Sequence, residues 1–173
     1  MHKKKLTKRE RKAQREAADR RRFYGSTVVR CFLCGTWQQV EPGDVVWGCC
    51  CGAGGSVDGG FVETMTMSEF LVDDWTDRIA RFWISEGIEK LGIEPGSARA
   101  MRRSANPALL FAATVEIWDH FSEGCDCLTD GERAVANEVP DLQRVDWYTV
   151  SDVVHREVRS NGRRTSNKED ERR

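Results

Sequence analysis

The chain has 173 residues, 39% of them hydrophobic and 32% charged, which is enough for one ordinary globular domain or for two small ones. Its apolar runs are far shorter than the roughly 20 residues that cross a bilayer, and its basic N-terminus lacks the apolar stretch of a secretory signal. We therefore expect a cytoplasmic protein with no membrane partner and with reduced thiols.

The charges are sorted along the chain, although the net charge is only −1. Residues 1–30 hold twelve Lys or Arg against three Asp or Glu, and residues 156–173 hold seven against four. The stretch 31–155 holds eight against twenty-one, so two basic ends flank an acidic body. An asymmetry of this kind is informative about binding partners and not about the fold.

Residues 1–25 predict a basic arm, either disordered or helical. Its residues are good helix formers, but it has no apolar stripe that could dock on a core. We expect it to bind the phosphates of nucleic acid; the alternative is an acidic surface, on the protein itself or on a partner. The candidate nucleic-acid-binding residues are Lys3, Lys4, Lys5, Lys8, Arg9, Arg11, Lys12, Arg15, Arg20, Arg21, Arg22, Arg30 and Trp37.

Residues 26–62 predict a small β module with tight turns. A β-branched run, STVVR, leads into Cys31, and two short strand-like pieces, TWQQV and DVVWG, flank the turn at residues 41–44. This pattern predicts a hairpin across the Pro-Gly turn. The module is too small to bury a core unaided.

The cysteines of this module have the spacing of a metal site. Cys31 and Cys34 form a C-x2-C pair followed by a glycine, and fourteen residues separate Cys34 from the run of three cysteines at 49–51. Zinc takes four thiolates in a tetrahedron. Because side chains at i and i+2 of an extended strand face the same way, we expect Cys49 and Cys51 to complete the site, with Cys50 as the alternative.

Residues 28–56 resemble a zinc ribbon, with two cysteine knuckles on a β-hairpin. The resemblance implies one structural zinc ion and no particular activity, because ribbons bind nucleic acid, bind protein or act as a staple. The second knuckle is C-x-C-G where the common pattern is C-x2-C-G. The alternatives are disulfides, although seven cysteines is an odd number, and a redox pair at Cys31 and Cys34, although a strand-like piece and not a helix follows.

Residues 63–162 predict a small acidic α-helical domain. Thr66 and Glu69 have capping-box spacing, and apolar residues at spacings of three and four predict a helix over 64–92 that ends at Gly92 or Gly96. The apolar residues of that helix are Leu71, Trp75, Ile79, Phe82 and Trp83.

Three further helices are predicted in this domain. The first spans 106–122, with Asn106 as N-cap, Pro107 after it and an inner face of Leu110, Ala113, Ile117 and Phe121. The second opens at a Thr129–Glu132 capping box and stops before Pro140. The third carries Val150, Val153, Val154 and Val158 and ends at Asn161-Gly162. Residues 163–173 have no apolar side chain and predict a disordered tail.

A weaker constellation lies near the end of the helix predicted over 106–122. His120, Cys125 and Cys127 could bind a second zinc ion, with His155 as a fourth ligand, or form a metalloenzyme centre with Glu116. The alternative is a capping histidine and two small apolar cysteines, and none of the common nucleotide-binding or hydrolase motifs occurs.

The tryptophans of the β module allow two hypotheses. Trp37 and Trp47 either pack against helices or form an exposed platform on which bases stack.

Taken together, these patterns predict a small α+β protein: a β-hairpin zinc ribbon followed by a small α-helical domain, with a basic N-terminal arm. The predicted function is zinc-dependent nucleic-acid binding in an accessory or regulatory role, with a protein partner on the acidic helices. The main alternative is a protein–protein adaptor whose ribbon is purely structural. The sequence does not predict an enzyme. A metalloenzyme that uses His120, Cys125 and Cys127 is the less favoured alternative.

Overall fold

A computed structural model describes residues 6–59, 62–87, 102 and 104–170, the last ten of these as backbone only. It is a mixed α+β structure with small sheets, which confirms the predicted class. The chain divides into two compact units, residues 1–70 and 71–173. The division falls inside the stretch 64–92 that the sequence predicts as one helix.

The first unit opens with helix α1, Lys8–Tyr24. Thr7 caps it: its hydroxyl accepts from the Glu10 N–H while the Glu10 carboxylate accepts from the Thr7 N–H. No side chain of α1 is buried. The predicted arm is therefore helical over this range, and residues 1–5, which include three of the candidate lysines, lie outside the described residues.

Five short strands follow, in two separate hydrogen-bonded sheets. They are β1 (Thr27–Arg30), β2 (Trp37–Val40), β3 (Val46–Gly48), β4 (Gly54–Ser56) and β5 (Thr64–Thr66). One sheet has the antiparallel order β2-β1-β5, and the other pairs β3 with β4. A one-turn helix α2, Met67–Phe70, closes the unit.

The hairpin predicted across the Pro-Gly turn is wrong in its pairing. The turn itself forms, with the Asp44 N–H donating to the Glu41 carbonyl at 3.0 Å and Gly43 at φ 93°. The strands on either side of it, β2 and β3, belong to different sheets. Each pairs instead with the strand on the other side of a loop that carries cysteines, β2 with β1 and β3 with β4.

The apolar core of the first unit is small. Its main cluster has five buried residues with a few partly buried neighbours: Val29, Cys31, Val40, Trp47 and Ala53. Val28, Met67 and Phe70 are buried outside this cluster. One cysteine of the predicted metal site is thus part of the core.

The second unit is helical over the residues described. Its elements are α3 (Asp73–Phe82), a π-helical turn (Trp83–Gly87), α4 (Pro107–Ser122), α5 (Asp130–Glu138), a 3-10 turn (Leu142–Arg144) and α6 (Trp147–Asp170). None of the described helices has both the length and the apolar character needed to cross a bilayer.

The single helix predicted over 64–92 is wrong. The Thr66–Glu69 capping box forms and opens α2, but the backbone at Val72 is extended and its N–H donates to the Arg144 carbonyl at 2.8 Å. This non-local hydrogen bond interrupts a helical pattern that is continuous in the sequence. The predicted ends at Gly92 and Gly96 lie outside the described residues.

The other predicted helix starts are confirmed. The Asn106 side chain accepts from two backbone N–H groups at the start of α4, and Thr129 and Glu132 form the reciprocal capping box of α5. Helix α6 buries Val150, Val154 and Val158 as predicted. Its helical backbone runs to Asp170, past the expected stop at residues 161–162 and into the segment predicted as a disordered tail.

A buried hydrogen bond joins α4 to the π-helical turn. The Trp83 indole N–H donates to the Thr114 hydroxyl at 3.1 Å, and that hydroxyl donates to the Leu110 carbonyl at 2.8 Å. Thr114 is fully buried, which the apolar pattern did not predict.

Replacing Thr114 by Val should lower the free energy of unfolding of the second unit by about 1–3 kcal/mol, because a buried indole N–H loses its acceptor. Urea unfolding followed by circular dichroism measures the change. In a double-mutant cycle, Trp83→Phe should remove part of the loss caused by Thr114→Val. Additive losses would mean that the hydrogen bond contributes nothing.

Candidate metal centre

The first cysteine loop, residues 31–36, joins β1 to β2. The Cys31 N–H donates to the Thr36 carbonyl at 2.9 Å, and the Gly35 N–H donates back to the Cys31 carbonyl at 2.8 Å. Gly35 has φ 74°, a left-handed conformation that glycine adopts without strain. The loop therefore turns the two sulfurs of the C-x2-C pair to one side.

The second cysteine loop, residues 49–53, joins β3 to β4 on the same plan, one residue shorter. The Cys49 N–H donates to the Ala53 carbonyl at 2.7 Å, and the Gly52 N–H donates to the Cys49 carbonyl at 2.9 Å. Gly52 also has a positive φ, 89°. The C-x-C-G spacing is thus a shortened version of the first loop.

The sulfurs of Cys31, Cys34, Cys49 and Cys51 all lie within 4.8 Å of one another. The Cys31–Cys51 and Cys34–Cys49 sulfur pairs are each 3.5 Å apart. A tetrahedral site with zinc–sulfur bonds of about 2.3 Å has sulfur–sulfur edges of about 3.8 Å. These four residues, hereafter the cysteine cluster, could therefore hold a metal ion.

The structure brings together the predicted pair of the second loop, but the physical reason given for it was wrong. Cys50 and Cys51 lie in a turn and not in an extended strand. The turn carries Cys51 towards Cys31, while Cys50 is exposed with its sulfur 4.0 Å from that of Cys49. Strand alternation therefore does not explain the choice of ligand.

The cysteine cluster lies between the small core and solvent. Cys31 is buried, Cys49 is half-buried, and Cys34 and Cys51 are exposed. An ion could enter from the exposed side while Cys31 ties the cluster to the core.

Hydrogen bonds favour the thiolate form of one cluster sulfur, that of Cys34. The Thr36 hydroxyl, 3.2 Å from the Cys34 sulfur, and the Thr36 backbone N–H favour the thiolate. A further contribution comes from Cys49, and together they lower the pKa of Cys34 to about 6. Cys34 is therefore a thiolate near neutral pH.

The neighbouring thiols shift the other way. The Cys51 backbone N–H lowers the pKa of Cys49, but burial and hydrogen bonds with the other cluster sulfurs outweigh it and raise that pKa to about 12. The Ala53 backbone N–H likewise lowers the pKa of Cys51, but the hydrogen bond with Cys31 and burial raise it overall. Without a cation, these two thiols keep their protons.

The predicted aromatic platform residues are packed. Trp37 is half-buried against Phe70, with ring centroids 5.2 Å apart, and the Arg30 guanidinium lies 5.8 Å from its ring centroid. Arg30 also pairs with Glu63 at 3.3 Å. Trp47 is only 7% exposed.

Other apolar side chains of the module are exposed, among them Val45, Val46 and a pair in the first cysteine loop. Phe32 is 61% exposed and Leu33 is 67% exposed, both between the cysteines of the first loop. The sequence patterns considered above do not single them out, although an apolar pair inside a C-x2-C turn, where nothing local covers it, indicates exposed apolar side chains.

The candidate cations on α1 lie on more than one side of the helix, and four of them share a face. Lys8, Arg11, Lys12 and Arg15 recur at spacings of three and four, so they lie on one face, and all four are exposed. Lys12 makes an i,i+4 ion pair with Glu16 at 3.5 Å. Near the other end, Arg22 pairs with Glu41.

The second predicted metal site is not assembled. Cys125 and Cys127 are joined by a disulfide, so they are not thiolate ligands, and the expectation of reduced thiols is wrong at these two positions. His155 instead lies 3.1 Å from the Ser104 hydroxyl. Among the described residues, the cysteine cluster alone brings three or more metal-ligating side chains together.

Compared with known protein families, with curated proteins and with solved structures, the chain gives no match.

The two neighbouring cysteines of the second loop should behave differently. Cys51→Ser should weaken zinc or cobalt binding by at least tenfold, because it removes one of four thiolates. Cys50→Ser, one residue away and equally exposed, should keep the affinity and a stoichiometry of about one ion per chain. Cobalt–thiolate absorbance measures both. Equal behaviour of the two variants would show that Cys51 is not a ligand.

Metal affinity should rise with pH. The raised pKa values of Cys49 and Cys51 leave both thiols protonated near neutral pH, so binding must release their protons. Below about pH 6, where Cys34 also takes up a proton, the affinity should fall more steeply. Calorimetric titration in two buffers of different ionisation enthalpy counts the protons. An affinity independent of pH would contradict this assignment.

Proposed function

We propose that this chain is a zinc-binding protein of the ribbon type that binds nucleic acid through α1 and the cysteine module. The observation that carries the proposal is α1, a 17-residue helix that buries no side chain and carries eight Lys or Arg against three Asp or Glu. A helix without a buried face gains little from packing. Its cationic surface is better explained by an anionic partner.

Zinc is the metal that fits the chemistry of the cluster. Four cysteine sulfurs in two short glycine-closed loops are typical of structural zinc sites. Soft thiolates also select against magnesium and calcium, which prefer oxygen ligands. The proposal requires that these four thiols stay reduced; the disulfide of the second unit joins two other cysteines.

Nucleic acid fits the charge pattern of the first unit better than a protein partner does. Phosphates are met by rows of exposed cations at helical spacing, and each neutralised phosphate releases counterions. Arg30, held by Trp37 and Glu63, adds a cation on the sheet that begins the first cysteine loop. The acidic helices of the second unit would then be available to a protein partner in an accessory or regulatory assembly.

The α1 face can be tested through the salt dependence of binding. Replacing Lys8, Arg11, Lys12 and Arg15 by Gln keeps the helix propensity and removes four charges. The slope of log K against log salt should then fall by roughly 3–4, since each phosphate contact contributes about 0.7–0.9. Fluorescence anisotropy with a labelled oligonucleotide measures the slope.

A charge-matched control separates this face from net charge. Replacing four arginines of the second unit by Gln changes the net charge equally and should leave the slope almost unchanged; they are Arg81, Arg133, Arg156 and Arg159. If both variants lose the same slope, α1 is not the contact surface. If the unmodified chain binds no nucleic acid at low salt, the adaptor alternative replaces this proposal.

A further inference from the structure

We infer that a cavity beside Trp47 binds one base of a single-stranded nucleic acid, an inference that rests on the function proposed above. The cavity, hereafter the Trp47 cavity, measures about 300 Å³. Its walls include Phe32, Trp47, Gly54, Gly55 and Val62. This volume is at the lower end for ligand sites, so it suits a single planar group and not a helix or a strand.

The first observation is a buried donor. Trp47 is more than nine-tenths buried, and among the described residues its indole N–H has no hydrogen-bond partner. A buried unsatisfied donor costs free energy that an incoming acceptor would recover. Buried indole N–H groups usually have a partner, as Trp83 does in the second unit.

The second observation is the glycine opposite this donor. Gly55 pairs with Trp47 across the β3–β4 ladder, and a Cβ at Gly55 would lie 3.6 Å from the indole nitrogen. Any side chain there would therefore fill the part of the cavity next to the N–H. Glycine at this position therefore leaves the indole edge without a side chain next to it on the β4 side.

The third observation is an exposed aromatic ring at the rim. Phe32 is 61% exposed and meets Trp47 edge-on, with centroids 6.0 Å apart and planes at 88°. Phe32 also lines a second cavity of about 330 Å³, together with Arg30 and Glu63, which form an ion pair. A ring that borders both cavities fits a nucleotide whose base stacks on Phe32 and whose phosphate replaces Glu63 as the partner of Arg30.

The three features together favour a base over an apolar side chain of a protein. A base has a π-face for Phe32 and a carbonyl or ring nitrogen for the Trp47 N–H, and stacking of this kind is tolerant of sequence. The cationic α1 belongs to the same unit and supplies attraction for the backbone of the same strand.

The test compares two ligands of equal charge on the zinc-loaded 173-residue chain. One is a short oligothymidylate, and the other is an abasic oligonucleotide of the same length. The readout is the Trp47 indole N–H resonance in a nitrogen–proton correlation spectrum, assigned with Trp47→Phe. We expect the oligothymidylate to shift this resonance and the abasic strand to leave it in place.

Two glycine variants, one on each of the paired strands β3 and β4, separate an effect beside the indole from the general effect of an added methyl group. Gly55→Ala puts a methyl group beside the indole nitrogen, whereas a Cβ at Gly48 meets nothing within 4 Å. Gly55→Ala should weaken oligothymidylate binding about tenfold, the worth of roughly one stacked base, and leave abasic binding unchanged. Gly48→Ala should change neither. If Gly55→Ala loses the dispersed spectrum of a folded chain, Phe32→Leu, at an exposed ring, serves in its place with the same expectation.

Failure of the base site and failure of the proposed function give different results. If both strands bind equally well and the Trp47 resonance does not move, nucleic-acid binding stands and the base site is wrong. If neither strand binds at low salt, both are wrong. Equal losses in Gly55→Ala and Gly48→Ala would also overturn the assignment.

Discussion

The first unit depends on the contact between its two cysteine loops. Its two sheets share no backbone ladder, because β2-β1-β5 and β3-β4 are hydrogen-bonded separately. The apolar cluster that includes residues of both sheets has only five buried residues, one of which is Cys31. Four sulfurs gathered from two loops, together with this small cluster, therefore link the two sheets of this unit. A divalent ion at that point would bind four thiolates in one coordination centre and would displace the protons that Cys49 and Cys51 otherwise keep.

The second unit is stabilised in a different way. Its described helices bury a continuous apolar cluster of fourteen residues, from Ile79 to Val158. Polar groups inside this cluster are satisfied, as in the Trp83–Thr114 hydrogen bond. The described residues of this unit bring no three metal-ligating side chains together. Loss of metal and loss of helix packing should thus be separable, each acting mainly on its own unit.

The first unit combines three kinds of chemistry within 70 residues. The cysteine cluster organises the loops, α1 carries exposed cations, and the first loop exposes Phe32 beside the cavity that contains the Trp47 edge. Charge alone gives affinity without selectivity. An aromatic rim with a buried N–H donor would add a preference for unpaired bases, because bases in a duplex hide their faces by stacking.

The sequence by itself determined the features that depend on neighbours a few residues away. These include the C-x2-C-G and C-x-C-G loops, the caps at Asn106 and Thr129, and the valine stripe of α6. Tertiary structure decided which strands pair, why Cys51 and not Cys50 joins the cluster, and where the helix predicted over 64–92 breaks. Those outcomes rest on contacts between residues far apart in the chain, such as the Val72–Arg144 hydrogen bond and the Trp47–Gly55 pair. Local periodicity carries no information about such contacts, because it records only which residues share a face and not what that face meets.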